Sequence, residues 1–104
     1  MERKALGVAL LTAVVMSSGV SAADVQQGEA LAQQWCSNCH IVAPEQAAGG
    51  DAAPAFTTIA ETAADRTNDL RAWLADPHPP MPNLDLTRNE IEDLLAYIES
   101  LAAK

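Results

Sequence analysis

The sequence predicts a small all-α domain of three to four short helices. Near the C-terminus, apolar residues recur at helical spacing, at Ile91, Leu94, Leu95, Ile98 and Leu101. Residues that start helices, Asp24 and Thr87, stand directly before apolar runs. No stretch alternates apolar and polar residues as a half-buried β-strand does. These three observations favour helices throughout the folded part of the chain.

The first 22 residues have the order of a secretory signal peptide. Charged residues of net positive sign are followed by an apolar run over residues 5–16 and then by small residues. This run is shorter than the roughly 20 residues that a spanning helix needs, although an uncleaved membrane anchor is the alternative. We expect cleavage after Ala22 or Ala23. Residues 23–104 would then form one periplasmic domain that does not insert into the membrane.

Removal of this segment leaves an acidic protein. The whole chain has 6 Lys and Arg and 14 Asp and Glu residues. Glu2, Arg3 and Lys4 leave with the signal peptide, so 4 basic and 13 acidic residues remain and the net charge is −9. Nucleic acid is excluded as a partner class, because its phosphates need Lys and Arg. A partner with a basic docking surface suits this charge, and solubility alone is the other explanation.

The first helix is predicted to begin after Asp24, with Gln27 as the reciprocal partner in a capping box. Its apolar face is expected at Val25, Gly28, Leu31, Ala32 and Trp35. This helix leads directly into the segment W-C-S-N-C-H, residues 35–40.

The middle of the chain is predicted to hold a loop and two short helices. Residues 43–54 contain two prolines and two glycines and are expected to be a loop. A helix over residues 55–64 follows, with its apolar side chains inward. Thr67 or Asn68 is expected to cap the next helix. That helix ends at Asp76, because the residue before a proline avoids the helical region.

A proline-rich segment precedes the last helix. Residues 76–83, D-P-H-P-P-M-P-N, are predicted to be extended and stiff, because each proline fixes a backbone angle and lacks an amide donor. Thr87 is then expected to cap the last helix, with Glu90 reaching back to complete a capping box.

Both cysteines lie in the segment C-S-N-C-H, which has four interpretations. A disulfide suits an exported protein but leaves His40 without a role. A thioredoxin-like dithiol expects a βαβ context, and zinc needs further thiolates or imidazoles. Covalent attachment of one haem c uses Cys36, Cys39 and His40 together, because the thiols bind the haem and the adjacent imidazole binds its iron. The spacing therefore predicts this attachment.

The second axial position of the iron has two candidate side chains. Met81 is the only methionine after residue 22, and His78 is the only other histidine. Met81 lies between two prolines, which suits a weakly binding thioether that must be held at a fixed distance. We expect Met81 to be the distal ligand and His78 to lie in an exposed loop. Ligation by His78, an open or water-bound position, and a gap-filling role for Met81 in the core are the alternatives.

The sequence resembles the small class I cytochromes c over residues 24–104. The elements that match are G-E-A-L-A-Q-Q-W-C-S-N-C-H, the stretch at Pro54, the W-L-x-x-P pattern of residues 73–77, Met81-Pro82 and the terminal E-I-E-D-L-L-A-Y-I-E-S-L. The resemblance implies a haem wrapped by short helices, the first and last of which cross at right angles.

The resemblance also implies roles for single residues. Gly28 would allow the close approach of the two terminal helices, with Ala32 beside it and Leu94 and Tyr97 opposite. The Pro54 carbonyl would accept a hydrogen bond from the non-ligating nitrogen of His40. The indole of Trp73 would reach a haem propionate, and a buried helical aromatic is the alternative. Ala32 departs from the family, which often has an aromatic residue at that position.

The expected function is a monomeric electron carrier, and not an enzyme. Because both axial positions would be filled, the iron would pass single electrons between redox proteins without binding a substrate. No catalytic residue is assigned, since no acid–base pair or nucleophile accompanies the motif. Two alternatives are a haem subunit of a periplasmic dehydrogenase or reductase, and a ligand sensor in which Met81 dissociates readily.

Overall fold

The computed structural model describes residues 7–14, 22–46, 50 and 52–102. Within these ranges the chain forms four α-helices and no β-strand, which confirms the predicted all-α fold. The helices are α1 (Val25–Trp35), α2 (Phe56–Ala63), α3 (Thr67–Ala75) and α4 (Arg88–Leu101), and a 3-10 turn (Ala64–Arg66) joins α2 to α3.

The predicted signal peptide lies mostly outside the described residues, which omit 1–6 and 15–21. Residues 7–14 have no regular secondary structure, and their side chains are exposed. In the described parts of the chain, no helix has the length and apolar character needed to cross a membrane.

Asp24 caps α1 as predicted. Its Oδ1 accepts hydrogen bonds from the backbone N–H groups of Gln26 at 2.9 Å and Gln27 at 3.2 Å. The predicted capping box is wrong in its second half, because the Asp24 N–H donates to Oδ1 of Asp93 at 2.7 Å. The N–H of Asp24 is therefore bound by a side chain of α4 and not by Gln27 of the first turn.

Gly28 is the point at which α1 and α4 approach most closely. A Cβ placed on Gly28 would lie 2.0 Å from the carbonyl oxygen of Asp93 and 2.8 Å from Cβ of Tyr97. Only a residue without a side chain fits there, which accounts for a glycine inside a helix. Ala32, one turn further on, is 0% exposed. The close approach expected at Gly28 is therefore confirmed, with the Asp93 backbone as its nearest neighbour.

The apolar face predicted for α1 is correct only in its middle turns. Leu31 packs against the core beside the buried Ala32, but Val25 is 41% and Trp35 51% exposed. The buried residues of α1 are Gly28 and Ala32, so its packing against the core is centred on the middle of the helix.

Helix α4 supplies more of the buried apolar residues than any other helix that the structure describes. The Thr87 hydroxyl accepts a hydrogen bond from the Glu90 N–H at 3.2 Å, and the Glu90 carboxylate accepts one from the Thr87 N–H at 2.8 Å, so this capping box is confirmed. The buried residues of the helix are Ile91, Leu94, Leu95, Tyr97, Ile98 and Leu101. Four of them, Leu94, Tyr97, Ile98 and Leu101, form one cluster with residues from α1, from α2 and from the loop between them, including Ala32, Val42, Phe56, Ala60 and Ala63.

The cap predicted for α3 is wrong. Thr67 is the first residue of α3, and the residue before it, Arg66, makes no side-chain cap. The Thr67 hydroxyl lies 2.9 Å from a carboxylate oxygen of Glu99 in α4, to which it donates. An ion pair between Arg71 and Glu92 adds a second link between the two helices, with guanidinium–carboxylate distances of 2.5 and 3.1 Å. Side chains on α4 thus hold α3, which is why a local cap is absent.

Residues 76–83 are non-helical, as predicted, but they are not extended throughout. The Met81 N–H donates to the carbonyl oxygen of His78 at 2.9 Å and closes a turn, within which the Pro79–Pro80 peptide bond is cis. Proline fixes φ and leaves ψ free, so a run of prolines is compatible with a turn as well as with an extended chain.

Tyr97 connects α4 to the loop that follows C-S-N-C-H. Its hydroxyl donates to the carbonyl oxygen of Val42 at 2.5 Å, and both residues are buried. Burial raises the pKa of Tyr97 above its ordinary value of 10.0, and the nearby carboxylates of Glu29 and Glu45 add to the rise. The phenol therefore stays protonated and donates at neutral pH.

Replacing Gly28 with alanine tests the helix contact. Helix propensity alone favours alanine by about 1 kcal/mol, whereas forcing a methyl group against the Asp93 backbone costs about 2 kcal/mol or more. We expect Gly28→Ala to lower the free energy of unfolding, measured by denaturant titration. The control Gln34→Ala, at an exposed site of α1, should stay within about 0.5 kcal/mol of wild type. A Gly28→Ala protein as stable as wild type would contradict the close approach.

Replacing Tyr97 with phenylalanine tests the bond to Val42. Loss of the hydroxyl leaves a buried carbonyl unpaired, so we expect a loss of about 1 to 3 kcal/mol in unfolding free energy. The control Ser100→Ala removes only a local bond to the Tyr97 carbonyl and should have a smaller effect.

The same variant has an expected pH dependence. A raised pKa means that the folded state holds the phenol proton more tightly. That contribution is present below about pH 10 and is lost at higher pH. Wild type should therefore lose more stability than Tyr97→Phe above pH 10, and equal losses would contradict the assignment.

Candidate functional site

The C-x-x-C-H segment continues α1 without a break. The Cys36 N–H donates to the carbonyl oxygen of Ala32 at 2.9 Å. The N–H groups of Cys39 and His40 both donate to the carbonyl oxygen of Cys36, at 3.2 and 2.9 Å. His40 therefore lies one helical turn beyond Cys36, and the direction of α1 sets the direction of the segment.

The two cysteines have different surroundings. Cys36 is 8% exposed and belongs to the core, whereas Cys39 is exposed. Burial raises the pKa of the Cys36 thiol to about 11, and the neighbouring Cys39 adds to this rise. The Cys36 thiol is therefore protonated at neutral pH. The two thiols are unpaired, so the disulfide interpretation gains no support from the structure.

The His40 ring is fixed by two groups from the loop and helix that follow. Its Nδ1 lies 2.6 Å from the carbonyl oxygen of Pro54, the contact that the resemblance implied. A carbonyl only accepts, so Nδ1 is the donor of this hydrogen bond, and in the neutral form of the ring Nε2 then has the lone pair. The ring of Phe56, the first residue of α2, meets the imidazole edge-on with centroids 5.2 Å apart.

Gly50 packs directly on the segment, and sequence reasoning gave it no role beyond marking a loop. A Cβ on Gly50 would lie 2.1 Å from the carbonyl carbon of Cys39 and 2.3 Å from the backbone nitrogen of His40. Beyond it, the Ala53 N–H donates to the carbonyl oxygen of Cys39 at 3.0 Å. A glycine pair ahead of Pro54 was the available signal for this close return of the chain.

Three other predicted residues lie together at the end of α3 and in the turn after it. Trp73 is 46% exposed in this structure. Its ring meets the ring of His78 edge-on, with centroids 4.5 Å apart. His78 is exposed, and Met81 is half-buried three residues further on.

The predicted site residues thus form two clusters. The attachment cluster contains Cys36, Cys39, His40 and Pro54 and is built on the end of α1 and the loop to α2. The turn cluster contains Trp73, His78 and Met81 and is built on the end of α3.

The attachment cluster fits a covalently held haem. It offers the free thiols of Cys36 and Cys39 and an imidazole, that of His40, whose Nε2 is not used in the bond to Pro54. Gly50 packs against the backbone that joins Cys39 to His40. In the part of the chain that the structure describes, no group of three His, Cys, Asp or Glu residues is placed to hold a metal ion.

Comparisons with known proteins point to the same chemistry. A family model described as "Cytochrome C oxidase, cbb3-type, subunit III" matches residues 23–98, which run from before α1 to near the end of α4. A curated protein named cytochrome c-552, from Bradyrhizobium diazoefficiens, is 42% identical over 96 residues, or 91% of this chain and 92% of that protein. No solved structure gives a significant match. The chain belongs to the class I monohaem cytochrome c family.

Proposed function

We propose that this protein carries single electrons between redox proteins in the periplasm, with its haem iron held by His40 and Met81. Family membership already makes it a c-type cytochrome of the electron-carrier kind, with covalently attached haem c. The observation that carries the finer proposal is the fixed His40 ring, whose Nδ1 is bound to Pro54 and whose Nε2 is left for a metal.

Each residue of the attachment cluster has a role in this proposal. Cys36 and Cys39 hold one haem through thioether bonds, and His40 is the proximal axial ligand. Pro54 keeps the proton on Nδ1 and fixes the plane of the ring. The bound haem supplies the one-electron ferric/ferrous couple.

Met81 is the proposed distal ligand. The hydrogen bond to the His78 carbonyl fixes its backbone, and its thioether is a soft donor that favours ferrous iron. His78 is the weaker candidate, because its ring already lies against the ring of Trp73. Trp73 is half-exposed in the same turn cluster, and we propose that its indole N–H donates to a haem propionate.

The location and the partners follow from the sequence. The signal peptide pattern of residues 1–22 supports export to the periplasm. The net charge of −9 after residue 22 supports redox partners with a basic docking surface and argues against nucleic acid. We propose a monomer that acts as a carrier and not as an enzyme.

A second candidate is a haem subunit held permanently in an enzyme complex. The observation that favours it is the description of the matching family, which names an oxidase subunit. Gel filtration of the native protein under gentle conditions separates the two candidates. A carrier elutes alone at the size of one chain, whereas a subunit elutes with its partner.

Spectra and ligand binding of Met81 and His78 variants test the axial assignment. We expect oxidised wild type to show a sulfur-to-iron charge-transfer band, and ferrous wild type not to bind CO. Met81→Ala should abolish the band, bind CO stoichiometrically and have a lower midpoint potential, because a soft ligand of ferrous iron is lost.

His78→Ala is the matched control, since it removes the other candidate ligand from the same turn. It should keep the band and exclude CO. Loss of the band in His78→Ala but not in Met81→Ala would contradict the assignment. Rapid binding of CO by wild type would instead favour a ligand sensor with a labile Met81.

A further inference from the structure

Gln46 binds three backbone groups of the segment that contains the C-x-x-C-H motif. Its Oε1 accepts a hydrogen bond from the Val42 N–H at 2.8 Å. Its Nε2 donates to the carbonyl oxygens of Ser37 and His40, each at 3.2 Å. Ser37, His40 and Val42 lie beyond the end of α1, so the carbonyls of Ser37 and His40 and the N–H of Val42 are not paired within a regular helix and need such partners.

Two further carbonyl groups of this segment are each bound by a different residue. The carbonyl oxygen of Ile41 accepts from the Phe56 N–H at 2.9 Å, and that of Val42 accepts from the Tyr97 hydroxyl. The Gln46 side chain, in contrast, joins the middle of the motif at Ser37, its histidine and Val42.

The backbone of His40 is bound on both sides of its Cα atom, at its N–H and at its carbonyl oxygen. Its N–H donates to the Cys36 carbonyl at 2.9 Å, and its carbonyl accepts from Gln46. Pro54 fixes only the ring, at Nδ1. Without Gln46, the His40 carbonyl and the Val42 N–H lose the partner that fixes their orientation, and the direction of the imidazole then depends on Pro54 and Phe56.

We propose that Gln46 is a positioning residue for the haem ligand His40. Gln46 fixes the backbone of His40, and the backbone in turn sets the direction of the imidazole. This inference rests on the proposed function, because it takes His40 as the proximal ligand. An amide suits the task. Its NH₂ group has two donors for the two carbonyls, and its oxygen accepts from Val42.

Two substitutions of Gln46 distinguish the role of its NH₂ donor from the role of its carbonyl acceptor. Gln46→Glu has the same shape and keeps an acceptor for Val42, but it has no donor for the carbonyls of Ser37 and His40. Gln46→Leu removes the donor and the acceptor. Gln34→Glu and Gln34→Leu make the same changes at an exposed site of α1 and are the matched controls.

The haem-loaded proteins are compared by three measurements: the NMR shift of the His40 Nδ1 proton, the midpoint potential, and hydrogen exchange at the Val42 amide. We expect both Gln46 variants to change the proton shift and the potential, and both Gln34 variants to leave them at wild-type values. Val42 exchange should be about fivefold faster in Gln46→Leu, the effect of losing one hydrogen bond, and should stay slow in Gln46→Glu.

Three results would overturn the inference. One is a loss of thermal stability in the Gln46 variants with the His40 proton shift and the potential unchanged, because the role is then only structural. Another is an equal change of potential in Gln34→Glu, because charge alone then explains it. The third is fast Val42 exchange already in wild type, because the bond to Gln46 is then absent.

These measurements also distinguish a failure of the role of Gln46 from a failure of the proposed function. Wild type without covalent haem would end the proposed function, whereas unchanged spectra in the Gln46 variants of a haem-loaded protein end only the role of Gln46. Should Gln46→Leu fail to accumulate, Gln46→Glu carries the test, because it keeps the side-chain shape and the contact with Val42.

Discussion

The direct contact between α1 and α4 at Gly28 is the constraint on which the rest of the structure depends. The Asp93 carbonyl occupies the space of a side chain at Gly28, and the Asp93 carboxylate binds the N–H of Asp24. These two contacts fix the start and the middle of α1. Because the motif continues α1 through backbone hydrogen bonds from Cys36 to His40, a contact made on α4 sets the direction in which the motif leaves the helix.

The motif is then held by groups from outside its own turn. Gly50 and Ala53 bring the loop back onto Cys39. The Pro54 carbonyl accepts a hydrogen bond from Nδ1 of His40, and Tyr97 binds the loop from α4. Each bond joins chain segments that are distant in sequence, so the imidazole depends on the folding of the whole domain. This arrangement suits an electron carrier, in which a rigid ligand set limits the reorganisation between two oxidation states.

The features that residue patterns alone predicted are those encoded within a few residues, whereas the contacts of Gly28 with α4 and of His40 with Pro54 were implied by the family resemblance. Thr87 and Glu90 lie three positions apart and form the capping box that their spacing predicted. In contrast, the N–H of Asp24 pairs with Asp93, 69 positions away, and Thr67 pairs with Glu99, 32 positions away. No local pattern encodes such partners. The roles of Gly50 and Gln46 were hidden for the same reason, because they depend on the path of a loop.

Covalent attachment of one haem to Cys36 and Cys39 can be measured as the intact mass of the denatured protein purified from the periplasm, with a Cys36→Ala/Cys39→Ala double variant beside it. Wild type is expected to have the mass of residues 23–104 or 24–104 plus one haem that survives denaturation, and the double variant is expected to lack this addition. Exported wild-type protein without the added mass would show that Cys36, Cys39 and His40 do not form a haem attachment site.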